Sequence, residues 1–456
     1  MPGRLNYLAS AAQFDLCGNC GSPSKSPFDF IYRADLPGGG SLPVLKVLLT
    51  NVCVNDCAYC VNQIGRDISR CSIKPEELAK TFMELHSKRI AQGLFLSSGI
   101  GTDASRTQES MINVVEILRH RYNFKGYIHL KILPGARFDC IEEACKLASR
   151  VSINIEAPTA HHLSVLSSKK DMQRDIMDRM RFIKKLYTKD KRTAPSGQTT
   201  QFVVGAAGER DIDILNTSTL LYDEIGLRRI YFSAFRPIPY SRLQDVIPTP
   251  PMREHRLYQA DWLLRVYRFS PQDVSLATAK DGNLSLLKDP KLSIAQKQPW
   301  LFPVDVNTAR YEELLRVPGI GPVSASRIVQ TRKDSSITSV TQLAKMKVTI
   351  KWALPFIWFK SMLQEEKQAR FTFDVEENVD VDTEKMLQAI NQRFIPNKIV
   401  IFLPTGPDLS RILQIAPFAR YESTIDGKPT AYVCVNYSCK LPTTDIYTML
   451  ASLNSG

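Results

Sequence analysis

Six short apolar segments alternate with helix-forming segments between residues 44 and 235 of this 456-residue chain. The segments are rich in β-branched and other hydrophobic residues, which is typical of strands that are buried on both faces. They are residues 44–50, 94–98, 127–133, 151–157, 200–206 and 228–235. Because buried strands separated by helices form parallel sheets, the pattern predicts an α/β fold with a partial (β/α)6, TIM-like barrel.

The alternation stops after Pro271, and the rest of the chain has a different character. Residues 300–365 are basic and read as helical, and from about residue 385 a new α/β pattern begins. A chain of this length is too long for one compact core. We expect four parts, which are a loop-rich N-terminal extension (1–43), the barrel (44–290), a helical domain (291–370) and a small α/β C-terminal domain (371–456).

The charge is distributed unevenly along the chain. The net charge is +13, yet residues 371–456 contain 10 acidic and 7 basic residues, so residues 1–370 carry +16. A basic surface of this size favours an anionic partner, and nucleic acid is the first candidate. The sequence contains no apolar run near the roughly 20 residues of a membrane span, and its N-terminus lacks the apolar core of a signal peptide. We therefore expect a cytoplasmic protein without membrane association.

Three cysteines with the spacing C-x3-C-x2-C directly follow the first predicted strand. They are Cys53, Cys57 and Cys60. Thiolates are the usual ligands of iron–sulfur clusters, and three of them can bind three irons while the fourth iron stays open. Tyr59, just before the third cysteine, would shield the cluster from water. The alternatives are three buried thiols or a zinc site with Cys71 as the fourth ligand.

The motif C-x3-C-x-aromatic-C after the first strand of a βα series resembles the radical S-adenosylmethionine (SAM) superfamily. The resemblance implies a [4Fe–4S] cluster, SAM bound to the open iron, and an external reductant such as flavodoxin or ferredoxin. In that superfamily, the reduced cluster cleaves SAM to methionine and a 5′-deoxyadenosyl radical, which abstracts a hydrogen atom from the substrate. The cofactors supply this chemistry, and the protein orients and shields them.

Two strand ends resemble SAM-binding elements of the superfamily. Ser97, Ser98 and Gly99 stand where the family usually has Gly-Gly-Glu beside the methionine amino group. The glutamate is missing, so Ser98 or backbone carbonyls must take its place. Glu156 ends the fourth strand, and the corresponding acid of related families lies near SAM. The alternative for Glu156 is a solvated acid at a strand end.

The fifth and sixth strands end in two further candidates. Gly205 and Gly208 resemble a turn that approaches adenine in the superfamily, since glycine permits close backbone contact. Arg236 follows the sixth strand at the same edge of the sheet. Its guanidinium would bind a carboxylate or a phosphate, or would pair with an acidic side chain of the protein itself.

Residues 305–332 resemble a helix-hairpin-helix motif, with its hairpin at Gly319, Ile320 and Gly321. The two glycines allow a tight turn, and the free N–H groups of the next helix bind a phosphate without regard to base sequence. Residues 301–370 contain 11 basic and 6 acidic residues. Cationic candidates for nucleic-acid contact are Arg327, Arg332 and Lys333. The alternative is a helical hairpin that contacts only protein.

Four segments outside the cysteine motif carry a narrower resemblance. They are FDLCGNCGSPS, GLFLSSGI, FSAFRPIP and WLFPVDVNTARYEELLRVPGIG. They resemble radical SAM proteins described as DNA modification or repair enzymes, often encoded beside a uracil-DNA-glycosylase-like partner. A base attacked inside a barrel must leave the duplex stack. The alternatives are a radical SAM enzyme that modifies RNA such as tRNA, and a non-catalytic iron–sulfur protein that binds DNA.

The chain ends hold two further cysteine pairs whose role the sequence leaves open. Cys17 and Cys20 are spaced C-x2-C, and Cys434 and Cys439 are spaced C-x4-C. Each pair could bind metal, and the second could also be a redox pair or purely structural. Residues 384–450 resemble the end of a large thioredoxin-domain family of the spermatogenesis-associated type, although the thioredoxin part itself is absent.

Overall fold

The computed structural model describes residues 2–12, 31–35 and 40–359, and in the C-terminal part 385–386, 389, 425–426, 428, 430–435, 438–439 and 441–454. Two compact units are present. The first contains residues 1–302 and 315–318, and the second contains residues 303–314 and 319–456. Within the described part of the chain, no helix has the length and apolar character that a membrane crossing requires.

A seven-stranded sheet organises the first unit, and its strands lie side by side in chain order. The strands are β1 (Ile31–Asp35), β2 (Ser41–Leu48), β3 (Gly93–Ser97), β4 (Tyr127–Lys131), β5 (Arg150–Ser152), β6 (Gln198–Val204) and β7 (Arg229–Ala234). β1 pairs antiparallel with β2, and all later neighbours are parallel. The six parallel strands confirm the predicted partial (β/α)6 barrel.

Helices lie before the sheet, between its parallel strands and after its last strand, and they bury apolar residues in the core. They are α1 (Pro2–Ala11), α2 (Pro75–Ser87), α3 (Ala104–Glu116), α4 (Phe138–Leu147), α5 (Ala160–Leu166), α6 (Asp178–Lys189), α7 (Asp211–Leu220), α8 (Pro251–Arg265), α9 (Pro271–Ser275) and α10 (Pro290–Lys297). Leu78, Ala79 and Phe82 of α2 show the principle, since their i, i+1, i+4 spacing places all three in the core. The parallel strands therefore end at one common edge of the sheet, where loops can assemble a site.

The described part of residues 1–43 contains a helix and a strand, although the sequence predicts a loop-rich extension there. In α1, the spacing of Leu5, Leu8, Ala9 and Ala12 forms one apolar face, and all four residues are buried. β1 then adds an antiparallel edge strand to the parallel sheet. A ten-residue amphipathic helix followed by a single edge strand gives only a weak signal beside the surrounding glycine- and proline-rich residues.

The predicted strand 151–157 is shorter in the structure because a side chain replaces part of its ladder. The Thr200 hydroxyl donates to the Ile153 carbonyl at 2.7 Å and accepts from the Ile155 N–H at 2.9 Å. Pairing with β6 resumes only at a single bridge between Glu156 and Phe202. Glu156 has a φ of +66°, a conformation that is costly for any residue other than glycine and that persists only where its surroundings impose it.

Short helices occupy residues 311–353, as the sequence predicted for the helical domain. They are α11 (Tyr311–Arg316), α12 (Pro322–Asp334), α13 (Val340–Lys345) and α14 (Ile350–Ala353). Two short parallel strands, β8 (Val304–Asp305) and β9 (Ile357–Trp358), bring the two ends of this region together. Buried apolar side chains such as Leu314, Ile328 and Leu343 line its interior.

The described C-terminal residues form a hairpin and a helix. The hairpin pairs β10 (Cys434–Val435) with β11 (Ser438–Cys439), which places the backbones of Cys434 and Cys439 opposite each other. The final helix is α15 (Ile446–Asn454), and Met386, Val433 and Met449 form a small apolar cluster. Residues 390–424, which belong to the predicted C-terminal α/β pattern, and the cysteine pair Cys17 and Cys20 lie outside the described residues.

Candidate functional site

The three motif cysteines lie on one irregular loop that follows β2. Cys57 is buried, Cys53 and Cys60 are partly buried, and all three are free thiols. The Asn62 N–H donates to the Cys60 sulfur at 3.4 Å. The structure therefore places the three predicted ligands at the carboxyl end of the first parallel strand, where folds of this class carry function.

The end of β3 holds the cysteine loop in place through the backbone. The Gly99 N–H donates to the Thr50 carbonyl at 2.7 Å, and the Val54 N–H donates to the Ile100 carbonyl at 2.8 Å. A Cβ atom on Gly99 would lie 2.4 Å from the Val52 carbonyl oxygen and 3.3 Å from the Cys53 Cβ. Only glycine therefore permits this close approach of the two segments.

Arg70 closes the other side of the cysteine loop. Its guanidinium donates to the carbonyls of Asn51, Asn62 and Gln63 at 2.7–2.9 Å and to that of Arg66 at 3.4 Å. One planar side chain with several fixed donors thus gathers carbonyls from both ends of the loop. Arg70 could not be predicted from the sequence, because no motif marks a side chain that binds only backbone carbonyls.

Asp56, between the first two cysteines, anchors the loop to the segment after α5. Its carboxylate accepts from the hydroxyls of Ser167 at 2.6 Å and Ser168 at 2.7 Å, and it pairs with Arg242 at 3.3 Å. Burial raises the pKa of Asp56, but these hydrogen bonds and the Arg242 charge outweigh it and lower the pKa to about 2. Asp56 therefore stays ionised, and its contacts persist, at all ordinary pH values.

A buried ion pair lies beside the cysteines. Lys170 Nζ is 3.2 Å from Glu156 Oε1 and 2.9 Å from the Tyr59 hydroxyl, and the Lys170 and Glu156 side chains are only 7% and 5% exposed. Burial lowers the pKa of Lys170, but the negative charges of Cys57, Glu156 and Cys60 outweigh it, so its pKa is raised. Lys170 is thus a permanent cation that ties the aromatic residue of the motif to the acid of the fourth strand.

Two buried polar atoms near the strand ends lack a partner among the described residues. They are the Ser98 hydroxyl oxygen and Glu156 Oε2, which follow β3 and β5. Buried polar groups are normally hydrogen-bonded, and exceptions often mark a binding site. The three thiols fit an iron–sulfur cluster. The two unsatisfied oxygens fit the amino group of a bound amino acid moiety, since an ammonium group donates to such oxygens. Ser97 beside them is buried.

The turn after β6 contains Gly205 and Gly208, both with positive φ values of +87° and +76°. A Cβ on Gly205 would meet the Thr249 hydroxyl at 2.0 Å, so the protein itself fills that space. Gly208 is exposed and has nothing within 4 Å of its Cβ position, so a ligand could approach it. The buried Glu209 carboxylate accepts from the N–H groups of Gly205 and Ala207 and fixes the turn.

Arg236 lies after β7 and is exposed. Burial raises the pKa of Glu254, and the nearby Arg236 charge partly offsets this effect. Arg66 donates to the Pro239 carbonyl at 2.7 Å, so the segment after β7 is also bound to the cysteine loop. Tyr240 in this segment is 93% exposed. The rim of the barrel thus presents arginines and an aromatic ring.

Cys71 does not complete a zinc site with the loop cysteines. In the described part of the chain, no three or more His, Cys, Asp or Glu side chains are grouped closely enough to hold one metal ion. Burial raises the pKa of the Cys71 thiol, and its backbone bonds Asn51 and Thr50. Because the ligands of a cluster bind different irons, they lie farther apart than ligands of a single ion, so a cluster remains compatible with this geometry.

The helical region carries the predicted hairpin. Gly319 has a φ of +82°, Ile320 is buried, and Gly321 precedes the first turn of α12. Arg327 and Lys333 are exposed on α12. Arg332 differs, because its guanidinium donates to the Val306 carbonyl at 3.0 Å and so stabilises the region internally.

Two family models match this chain. The model described as "Radical SAM superfamily" matches residues 47–221, which include the cysteine loop and the strands β3 to β6. The model described as "Helix-hairpin-helix motif" matches residues 303–348. The radical SAM domain identifies the chain as an enzyme, against the alternative of a non-catalytic DNA-binding protein. This superfamily uses a [4Fe–4S] cluster and SAM.

Individual relatives are distant. Human spermatogenesis-associated protein 20 is 36% identical over 64 residues, which are 14% of this chain and only 8% of that protein. The [FeFe]-hydrogenase maturase HydG is 12% identical with a TM-score of 0.38, over 73% of this chain and 82% of that one. Methylornithine synthase (PylB) is 14% identical with a TM-score of 0.37, over 76% and 80%. At these scores the fold assignment rests on the strand order and the family model.

Proposed function

We propose, from the premise that this chain is a radical SAM enzyme with a helix-hairpin-helix motif, that its substrate is nucleic acid and specifically DNA, which it modifies or repairs. The hairpin of residues 319–321 is the observation that carries this proposal, since such turns bind phosphates of a nucleic-acid backbone. The net charge of +16 on residues 1–370 agrees with a polyanionic substrate.

We assign the cofactor sites to residues of the first unit. Cys53, Cys57 and Cys60 hold the [4Fe–4S] cluster, with Tyr59 beside it. Ser98 and Glu156 offer buried acceptors to the amino group of SAM. The other residues assigned to SAM are Ser97, Gly99 and Gly208, whereas Thr249 occupies the space beside Gly205. When bound, the two cofactors together supply a carbon-centred radical that removes a hydrogen atom from the substrate. The protein orients SAM and excludes water around it.

Nucleic-acid contacts fall on two sets of residues. In the first unit, the exposed Arg236 and Tyr240 lie at the rim of the barrel and suit a phosphate and a displaced base. In the helical region, the hairpin and the exposed Arg327 and Lys333 bind backbone phosphates. Arg332 contributes through the fold of the region rather than by direct contact.

The partners proposed for this enzyme follow from its chemistry and resemblance. A flavodoxin or ferredoxin would reduce the cluster, and a uracil-DNA-glycosylase-like protein would act on the same DNA. A cytoplasmic setting is consistent with free thiols, because reducing conditions there preserve them. The C-terminal region, with its proposed likeness to the end of the spermatogenesis-associated family, has no assigned role.

The test is SAM cleavage with different polymers. After anaerobic reconstitution and reduction with dithionite, we expect 5′-deoxyadenosine to form faster with single-stranded or duplex DNA than with tRNA or without polymer. The double variant Arg327→Ala, Lys333→Ala should need a higher DNA concentration for the same stimulation of 5′-deoxyadenosine formation. Its rate without DNA should be unchanged, because phosphate contacts contribute only to DNA affinity. Stimulation by tRNA alone would replace DNA with RNA as the substrate. Equal rates in all samples would reject a nucleic-acid substrate.

A further inference from the structure

The helical region contains a second turn directly beside the glycine hairpin. It lies between α13 and α14, and Lys347 in this turn has a φ of +64°, close to the +82° of Gly319. The Thr349 N–H donates to the Gly319 carbonyl at 2.9 Å. A Cβ on Gly319 would lie 2.5 Å from the Thr349 carbonyl oxygen and 3.1 Å from the Trp352 Cβ. The two turns are therefore in direct backbone contact. The Cβ atom of Trp352 lies at the same contact.

Trp352 is 44% exposed, so part of its side chain is open to a ligand. The interior of this region is filled by other residues, such as Ala353 and Phe356, which are buried. Lys351 Nζ lies 5.8 Å from the centre of the Trp352 ring, and Lys347 is also exposed. The surface beside the hairpin thus combines a large aromatic ring with two cations.

We propose that Trp352 stacks on an unpaired base whose adjacent phosphate is bound at the glycine hairpin, so that this region favours single-stranded or locally opened nucleic acid. This proposal rests on the proposed function and specifies the form of nucleic acid that the enzyme takes. The occupant is a nucleotide rather than a protein segment, because exposed lysines flank the ring and the hairpin beside it suits a phosphate.

The physical reason is the different access to base faces in the two forms. Inside a duplex, both faces of each base are covered by neighbouring base pairs, and only phosphates and groove edges are accessible. A single strand exposes its base faces, and aromatic side chains bind them with little regard to sequence. A hairpin without an aromatic neighbour would bind both forms through phosphates alone. Trp352 adds a contact that only an unstacked base can use.

The preference agrees with the chemistry of the first unit. A base that reacts inside a barrel must first leave the duplex, and this step costs least where the strand is already open. A region that selects unpaired nucleotides would deliver substrate on which this step is already complete.

The experiment measures binding of the full chain to a fluorescent single strand and to a duplex of the same length by anisotropy. We expect Trp352→Ala to weaken binding to the single strand by about 5- to 150-fold, the equivalent of roughly 1–3 kcal/mol of base stacking. Binding to the duplex should change by less than about twofold, within the range of a surface substitution. Trp352→Phe should restore most of the single-strand affinity, since it keeps an aromatic face.

Two controls separate stacking from folding and from charge. Trp300→Ala removes a tryptophan that is 73% exposed in the first unit and should leave both affinities unchanged. Lys347→Ala with Lys351→Ala should weaken both forms and reduce the salt dependence of binding, whereas Trp352→Ala should leave the salt dependence unchanged. Thermal unfolding of each variant checks that the region stays folded.

The outcomes distinguish this inference from the function on which it rests. Unchanged single-strand affinity in Trp352→Ala, or an equal loss on both forms, overturns the stacking role while nucleic-acid binding stands. Failure of the unmodified chain to bind either form overturns both proposals. A selective loss on the single strand that phenylalanine restores supports the inference.

Discussion

Replacing Cys53, Cys57 or Cys60 singly with alanine should abolish 5′-deoxyadenosine formation, while Cys71→Ala should keep most of it. The three loop cysteines are the only protein ligands proposed for the cluster, so the loss of one leaves an iron without its thiolate. Cys71 is 11 residues further on in the sequence, and its backbone rather than its thiol bonds Asn51 and Thr50. Burial also raises the pKa of the Cys71 thiol, which disfavours the thiolate that binds metal.

The measurement is the iron and sulfide content per chain after anaerobic reconstitution, followed by chromatography for 5′-deoxyadenosine. Cys71→Ala is the matched control because it removes one partly buried thiol from the same neighbourhood. A Cys57→Ala protein with full iron and full activity would contradict the ligand assignment. Loss of the cluster in Cys71→Ala, with unchanged thermal stability, would instead make Cys71 a ligand.

Gly99→Ala should strongly impair the cluster without unfolding the barrel. The new methyl group would lie 2.4 Å from the Val52 carbonyl oxygen, and the Gly99 N–H is fixed to the Thr50 carbonyl, so neither segment can move away freely. Relief of the clash must displace the backbone that carries Cys53. We expect cluster content and activity to fall by about fivefold or more, in keeping with the roughly 1–3 kcal/mol that overpacking costs.

Gly101→Ala is the control for this prediction. The nearest atom to its Cβ position is the Thr107 hydroxyl at 3.6 Å, an ordinary contact. This variant should keep its cluster and its activity, because its methyl group makes only an ordinary van der Waals contact. Equal behaviour of the two variants in iron content would show that the contact between Gly99 and Val52 does not position the loop.

Local patterns were sufficient to predict the six parallel strands and the position of the cysteine loop after the first of them. Each of the six parallel strands is a short apolar run, and the cysteines follow the first of them in an unbroken motif, so both signals lie within a few consecutive residues. The strand ends could not be predicted in the same way. Gln108, from α3, accepts from the Leu133 N–H at 2.8 Å and donates to the Lys131 carbonyl at 3.2 Å, which ends β4 early. Here a side chain takes the place of backbone hydrogen bonds between strands, and this depends on tertiary packing that the local sequence does not reveal.

The surroundings of the cysteines depend on residues that carry no sequence signal. Lys170 reaches Glu156 and Tyr59 from the segment after α5, and a lone lysine in a basic stretch normally reads as a solvated surface residue. Arg70 likewise binds only carbonyls, which every residue type provides. Trp352 lies 20 residues beyond the end of the predicted helix-hairpin-helix motif (305–332) in the sequence, and only the fold brings it close to Gly319.

Transfer of deuterium from uniformly deuterated DNA into 5′-deoxyadenosine would show whether the hydrogen atom is taken from DNA. The reduced, reconstituted full chain would be incubated with SAM and either deuterated or ordinary DNA. The mass of the 5′-deoxyadenosine formed would then be determined by mass spectrometry. We predict that 5′-deoxyadenosine gains one deuterium from deuterated DNA and none from ordinary DNA, because the hydrogen atom is taken from the polymer. Unlabelled product with deuterated DNA, at an undiminished rate of SAM cleavage, would contradict the assignment of DNA as substrate.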